Sequence, residues 1–376
     1  EFAVDACESS PELKNKADAL IAKVAPLLSW CVDVLLSPDL LPQLFSSLGL
    51  SEHAAASVCS TWSGAYSRQL RIRRYVNPRI VPQLAGVPKN PTGLCMLPGS
   101  VLAIASCERN GHAAVKFVAA RSDSDPQALA AYRASSLAAR RFEWLMGLAL
   151  TNDGLLACNL RAASVALYKF ATDGSMDELA TVPVLADYSH GFKRCAVHQQ
   201  TQRTYAIGDG EDGSSAVVIL DANLQVVAIV EAVAAGDDPI SDIAVHGDQV
   251  IVLTGNNHPK GSGLRLLDLD GQFLRTIVAA QFRNPWALTT SHGRAFVVDD
   301  DDKIAPVFDD DDDDDDEWEP GKVLHVIDIQ SGDILQSVGF VLEGAASAIL
   351  VDGNNIYIAS FFASEVVVLQ LAGSEA

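Results

Sequence analysis

Short apolar segments separated by turns recur along this chain from about residue 90 to the C-terminus. The clearest unit is Gly147–Gly174, GLALTNDGLLACNLRAASVALYKFATDG. It contains an apolar segment, a turn at Asn152-Asp153-Gly154, a second segment at Leu155–Cys158 and a third at Ser164–Phe170. Alternation with a period of two between glycine-containing turns predicts antiparallel strands.

Repeats of three or four short strands are typical of the blades of a β-propeller, since one such unit cannot bury both of its faces and must stack around an axis. About six units follow one another, so we predict a mainly β fold with a six-bladed propeller over residues 77–376. Residues 122–141 predict a short helix inserted in the first blade. The last unit ends after its third strand, and the extended segment Arg79–Leu84 is the candidate that completes it and closes the ring.

Residues 1–76 have a different period. Apolar positions three and four residues apart follow a Ser10-Pro11 helix start, which predicts a small all-α domain in front of the propeller. Within it, the stretch from Leu36 to Arg68 resembles the F-box in its proline and acidic start, paired leucines, Leu-Phe-Ser, Val-Cys and Trp. That resemblance implies docking on the Skp-type adaptor of cullin–RING ubiquitin ligases. The adaptor-binding positions it implies are Leu40, Leu41, Leu44, Phe45, Leu48, Val58 and Trp62. The alternative is a helical cap that covers part of the propeller.

The repeats themselves resemble the NHL type, with an Asn-Pro or Gly opening followed by an apolar strand, as in Asn284-Pro285-Trp286-Ala287-Leu288. Six-bladed propellers also include calcium-dependent lactonases, whose ligands surround the axial channel. Calcium needs six to eight oxygen ligands. Asp242 is the nearest acidic candidate at the predicted inner-strand starts, so we predict no catalytic residues, no metal and no cofactor.

Charge adds one local feature to this picture. The net charge is −21, and residues 299–319 contain twelve Asp, two Glu and one Lys. This acidic insertion, assigned to 299–320, falls within the fifth blade. We expect it to be solvated, either as an inert low-complexity loop or as an arm that captures a basic protein segment. The acidic balance argues against nucleic acid as a partner, because phosphate binding needs Lys and Arg.

Candidate partner-binding residues lie at the predicted inner-strand starts and in the acidic insertion. They are Asn90, Trp144, His190, Arg283, Asn284, Trp286, Phe308, Asp309, Asp312, Asp316 and Trp318.

The seven cysteines include no CxxC pair and no apolar run is long enough to cross a membrane, so we expect reduced thiols in a cytoplasmic or nuclear protein. Two functions remain open: a substrate-recognition subunit of a cullin–RING ligase that binds a client protein, and a non-catalytic scaffold of a larger assembly. A calcium-dependent hydrolase is the third and least supported.

Overall fold

The fold is described by a computed structural model. It describes residues 76–81, 84–107, 112–135, 142–159, 164–170, 176–182, 191–209, 214–231, 239–255, 262–279, 281–300, 322–340, 342 and 344–371. The predicted helical domain lies outside these residues except for Val76, and so do all seven predicted adaptor-binding residues.

Within the described residues, twenty-four strands form six antiparallel sheets of four strands each, which confirms the predicted propeller. The innermost strands of the six blades, in chain order, are β2 (Pro91–Leu97), β6 (Leu145–Leu150), β10 (Gly191–His198), β14 (Ile240–His246), β18 (Pro285–Ser291) and β22 (Ala346–Asp352). The second strands are β3 (Val101–Cys107), β7 (Gly154–Asn159), β11 (Arg203–Asp209), β15 (Gln249–Thr254), β19 (Arg294–Asp300) and β23 (Asn355–Ser360).

The outer half of each blade follows the same order. The third strands are β4 (His112–Ala119), β8 (Ser164–Phe170), β12 (Ser215–Leu220), β16 (Gly263–Asp268), β20 (Lys322–Asp328) and β24 (Val366–Leu371). The outermost strands of the first five blades are β5 (Phe142–Glu143), β9 (Met176–Val182), β13 (Val226–Val230), β17 (Phe273–Ala279) and β21 (Ile334–Phe340).

The six inner strands form a closed ring. Each of them contacts the inner strand of the next blade, and β22 of the sixth blade contacts β2 of the first. The second strands are buried between neighbouring sheets, and this explains apolar runs such as Val101–Cys107, all of which is buried. Between the first two blades, Val101 and Phe117 pack with Leu148, Leu155 and Tyr168 in one apolar cluster.

A strand from the start of the propeller closes the ring. β1 (Val76–Val81) pairs antiparallel with β24 and completes the sheet of β22, β23 and β24. The sequence prediction placed this strand three residues too late, at Arg79–Leu84, and put a domain boundary at Asn77-Pro78, which lies inside β1. Proline is compatible with β1 because β1 is an outermost strand, where one edge has no partner to lose.

The predicted insertion helix in the first blade is also confirmed. Helix α1 spans Pro126–Ala134, with the Asp125 carboxylate accepting the Gln127 amide at 2.8 Å as N-cap. Pro126 occupies the first turn, where it has no hydrogen bond to lose. Among the described residues, no helix is both long and apolar enough to cross a membrane.

Deleting residues 76–81 tests the closure. The deletion exposes β24 and removes Val76, which is fully buried and whose backbone amide donates to Gln336 Oε1 of β21 at 2.8 Å. We expect the melting temperature to fall by roughly 5–10 °C, as for a loss of several kcal/mol in a domain of this size. Scanning calorimetry on the full-length protein measures it. In the control Gln336→Ala, only side-chain hydrogen bonds are lost, and we expect a fall of about 2 °C. A deletion that leaves the melting temperature unchanged would contradict the closure.

Candidate functional site

A β-bulge lies near the start of every inner strand. In the first blade, Pro91 pairs with Ser106 and Gly93 pairs with Ala105, so Thr92 is an extra residue without a partner in β3. The same irregularity recurs in all six blades, and its residues form what we call the bulge ring. These residues are Thr92, Met146, Lys193, Ser241, Trp286 and Ser347. Because a bulge interrupts the ladder, its backbone groups need other partners.

The Arg194 side chain supplies many of these partners. Its Nη1 donates to the carbonyls of Thr92 and Lys193, both at 3.1 Å, and to that of Met146, while its Nη2 donates to the carbonyl of Ser347. All four acceptors belong to the bulge ring, and Arg194 is only 9% exposed. One guanidinium therefore connects the first, second, third and sixth blades.

Asp242 connects the remaining two blades. Its carboxylate accepts the backbone amide of Ile243 at 2.8 Å and that of Leu288, in β18, at 2.7 Å. Oδ1 of Asp242 lies 3.8 Å from Nε of Arg194. We call these two residues the axial pair, since together they contact the inner strands of all six blades.

Small residues make room for the axial pair. The residue after each bulge is Gly93, Gly147, Arg194, Asp242, Ala287 or Ala348. The inner strands approach so closely here that a Cβ on Gly93 would lie 3.0 Å from the Met146 carbonyl oxygen, and one on Gly147 would lie 3.1 Å from the Arg194 Cα. Both glycines are therefore required by packing and not by an unusual φ angle.

The axial pair borders a cavity of about 370 Å³. Every inner strand contributes to its lining, with residues such as Met96, Leu150, Cys195, Val245 and Thr289. Burial raises the pKa of Asp242 to about 6, although Arg194 and the amides of Leu288 and Ile243 oppose this shift. Among the described residues, no group of three or more His, Cys, Asp and Glu side chains could hold a metal ion.

The predicted site residues at the inner-strand starts occupy different structural positions. Asn90 and Trp144 immediately precede β2 and β6 and adopt left-handed φ angles of 48° and 62°. Trp286 belongs to the bulge ring, and Asn284 precedes β18 with its carbonyl accepting the Asp300 amide at 3.1 Å. His190, Phe308, Asp309, Asp312, Asp316 and Trp318 lie outside the described residues.

The acidic insertion begins later than the sequence prediction placed it. Asp299 and Asp300 belong to β19 and are 2% and 8% exposed. The Asp299 carboxylate accepts the backbone amides of Arg283 at 3.0 Å and Asn284 at 2.7 Å. Asp300 lies 2.7 Å from the ammonium group of Lys322, which is itself 2% exposed. Since both carboxylates are buried in β19 and have partners in the fifth blade, only the residues after Asp300 belong to the insertion.

Arg194 was not among the predicted site residues. The signal that could have identified it is its alignment among the repeats, since Arg194 stands at the position where four of the other blades carry Gly or Ala. Asp242, considered only as a calcium ligand, occupies that position in the fourth blade.

Comparison with solved structures places the chain among proteins of similar fold. A structural genomics protein of unknown function from Bacteroides thetaiotaomicron has a TM-score of 0.50 and 12% identity, over 78% of this chain and 72% of that one. The WD40 β-propeller domain of Doa1 gives 0.48 and 11%, over 74% and 77%, and BamB from Moraxella catarrhalis gives 0.41 and 13%, over 79% and 96%. At these identities the likeness concerns the fold alone.

No protein-family model matches the chain, and a search of curated proteins gives no match. The resemblances to the F-box and to NHL repeats therefore stay predictions. The sheet topology and the ring of inner strands define the class of the protein, a six-bladed β-propeller.

Replacing Arg194 by leucine tests the axial pair. The variant leaves four bulge-ring carbonyls without this donor and the Asp242 charge without its partner, so we expect a loss of about 3–5 kcal/mol in the free energy of unfolding. Urea denaturation measures it. The control is Arg203→Leu, whose guanidinium lies 2.7 Å from Asp270 with side chains 31% and 74% exposed. An exposed pair contributes about 1 kcal/mol or less. Equal losses in the two variants would contradict the role of Arg194.

Asp242 also predicts a pH dependence of stability. Its folded-state pKa of about 6 lies above the ordinary value of about 3.9, so between these pH values the folded protein binds more protons than the unfolded chain. Lowering the pH from 7 to 4 should therefore stabilise the wild type relative to Asp242→Asn, by about 2–3 kcal/mol. Urea denaturation of both proteins across this range measures the difference. A relative stability that falls as the pH is lowered would show that the pairing with Arg194 outweighs burial.

Proposed function

We propose that this protein is a non-catalytic recognition protein whose propeller binds a protein partner with a basic segment. In the finer form of the proposal, residues 1–76 dock on a Skp-type adaptor and the protein serves as a substrate-recognition subunit of a cullin–RING ubiquitin ligase. This finer form rests on the F-box-like residues of the sequence. The assignment of the blades to the NHL type is likewise part of the proposal.

The base of the acidic insertion carries the proposal. Asp300 ends β19 and Lys322 begins β20, and the two residues are partners in register as well as in a buried ion pair of 2.7 Å. Pro285, at the start of β18, pairs with Asp299. The insertion 301–321 is therefore anchored at the face on which the inner strands begin.

The charge of this insertion supports a basic partner. Residues 301–321 contain ten Asp, two Glu and one Lys. Such a concentration of negative charge attracts a basic segment over distances up to about a Debye length, roughly 8–10 Å at ordinary salt, and raises its association rate. Phe308 and Trp318 flank the run of eight aspartates and offer apolar contacts at its two ends.

The state of the axial pair supports a non-catalytic role. The Asp242 carboxylate accepts two backbone amides, and the Arg194 guanidinium donates to four carbonyls of the bulge ring. A general base needs a carboxylate in hydrogen-bonding reach of a substrate proton. A cation among the bulge-ring carbonyls would be repelled by the guanidinium charge. These groups hold the blades together instead.

One co-purification experiment tests both parts of the proposal. The full-length protein is incubated with a purified Skp-type adaptor or with a lysine-rich peptide, and bound material is quantified at several salt concentrations. We expect Leu44→Ala/Phe45→Ala/Trp62→Ala to lose adaptor binding at least about tenfold while retaining the peptide. We expect Asp309–Asp316→Asn to lose peptide binding while retaining the adaptor. The control Asp123→Asn/Asp153→Asn removes two exposed charges elsewhere and should behave as wild type.

The outcomes separate the alternatives. Peptide binding without adaptor binding by the wild type would leave the scaffold function in place of the ligase subunit. Peptide binding that survives neutralisation of Asp309–Asp316, or that shows no salt dependence, would contradict recognition by the acidic insertion.

A further inference from the structure

Two cysteine side chains from neighbouring blades meet beside the axial cavity. Cys158 lies in β7 of the second blade and is fully buried. Cys195 lies in β10 of the third blade, is half-buried and lines the cavity. Cys195 packs against the apolar cluster that contains Cys158, Leu156 and Val165.

A glycine between the two strands permits this contact. Gly147 of β6 is the register partner of Cys158, so both residues face the same side of the second blade. A Cβ on Gly147 would lie 3.1 Å from the Arg194 Cα and 3.4 Å from the Cys195 nitrogen. The third blade therefore approaches the point where Gly147 has no side chain, and Cys195 packs there against the cluster that contains Cys158.

The surroundings of the thiols also affect their acidity. Burial raises the pKa of Cys158 well above its ordinary value, and the neighbouring Cys195 thiol raises it further, whereas the nearby Arg194 lowers it. Cys95 of β2 also lines the cavity, and burial raises the pKa of its thiol. Among the described cysteines, Cys195 is the least buried and the one best placed to meet a reagent that enters the cavity.

We propose that Cys195 and Cys158 form an oxidisable dithiol, a reversible modification site for hydroperoxides that enter the axial cavity. The Cys195 thiolate attacks the terminal oxygen of a hydroperoxide, whose O–O bond breaks. Cys195 becomes a sulfenic acid, and the peroxide leaves as water or an alcohol after taking up a proton. The Cys158 sulfur then attacks the Cys195 sulfur, forming the S–S bond and releasing water with the Cys158 proton. Two thiols are oxidised and one peroxide is reduced.

The disulfide would link the second blade directly to the third. Between these blades the strands already approach closely at Gly147 and Arg194, so the bond adds a covalent connection beside the axial pair. This inference does not depend on the proposed function, because it uses no residue of the adaptor-binding or acidic segments.

Peptide mapping of the full-length protein tests the proposal. The reduced protein is treated with hydrogen peroxide at about one equivalent, the remaining thiols are alkylated, and the digest is analysed by mass spectrometry without reduction. We expect a Cys158–Cys195 linked peptide that dithiothreitol removes. Its yield should be at least about tenfold lower in Cys195→Ser and Cys158→Ser. It should be unchanged in the control Cys95→Ser, since Cys95 lines the same cavity but packs in the apolar cluster between the first two blades and not in the one that contains Cys158.

Trapping of sulfenic acid with dimedone tests the order of the steps. Cys158→Ser should accumulate the adduct on Cys195, because the resolving thiol is gone. A Cys95–Cys195 disulfide, an adduct on Cys158 in the Cys195→Ser variant, or a wild type whose Cys158 and Cys195 remain alkylatable after peroxide treatment would each overturn the proposal. The wild-type mapping requires no substitution, so the proposal stays testable if a variant fails to fold.

Discussion

The blades depend on one electrostatic constraint at the axis. Six β-bulges release backbone groups from their ladders at nearly the same level of the inner ring, and buried backbone carbonyls need donors. Arg194 donates to four of them through its two terminal nitrogens. A planar guanidinium with several fixed N–H groups suits this task, whereas a lysine ammonium presents only three donors from a single atom.

The axial pair connects the blades at the centre of the propeller, and the closing strand β1 connects its beginning to its end at the perimeter. At the centre, Arg194 and Asp242 contact all six inner strands, and the small residues after the other four bulges leave space for them. At the perimeter, β1 pairs with β24 and joins the beginning of the propeller to its end. Each blade buries apolar surface only against its two neighbours, so one weak interface could separate two blades. The axial pair and the pairing of β1 with β24 both oppose such a separation.

Much of the fold could be predicted from local pattern alone. The strand Ser164–Phe170 has the predicted bounds, because its residues alternate between clear turns. The centre of the propeller was not predictable in this way. Arg194 bonds to carbonyls 102 and 153 residues away in the sequence, and such partners leave no local signal.

The burial of the first two acidic residues could not be predicted from local sequence either. Asp299 and Asp300 are indistinguishable in sequence from Asp301 and Asp302, and composition assigns all four to one solvated run. Their environment is decided by register, since Asp299 faces the backbone amides before β18 and Asp300 is opposite Lys322. Similarly, the contact of Cys158 with Cys195 depends on a glycine in a third strand.

The buried pair of Asp300 and Lys322 makes the pairing of β19 with β20 independent of the residues inserted between them. Because the two ends of the insertion are held side by side by the ladder and the ion pair, the blade does not rely on the inserted residues for its own pairing. Doubling the length of a flexible loop costs only about 0.6 kcal/mol in closure entropy. The segment 301–321 can therefore change in length and composition while the fifth blade keeps its strand pairing.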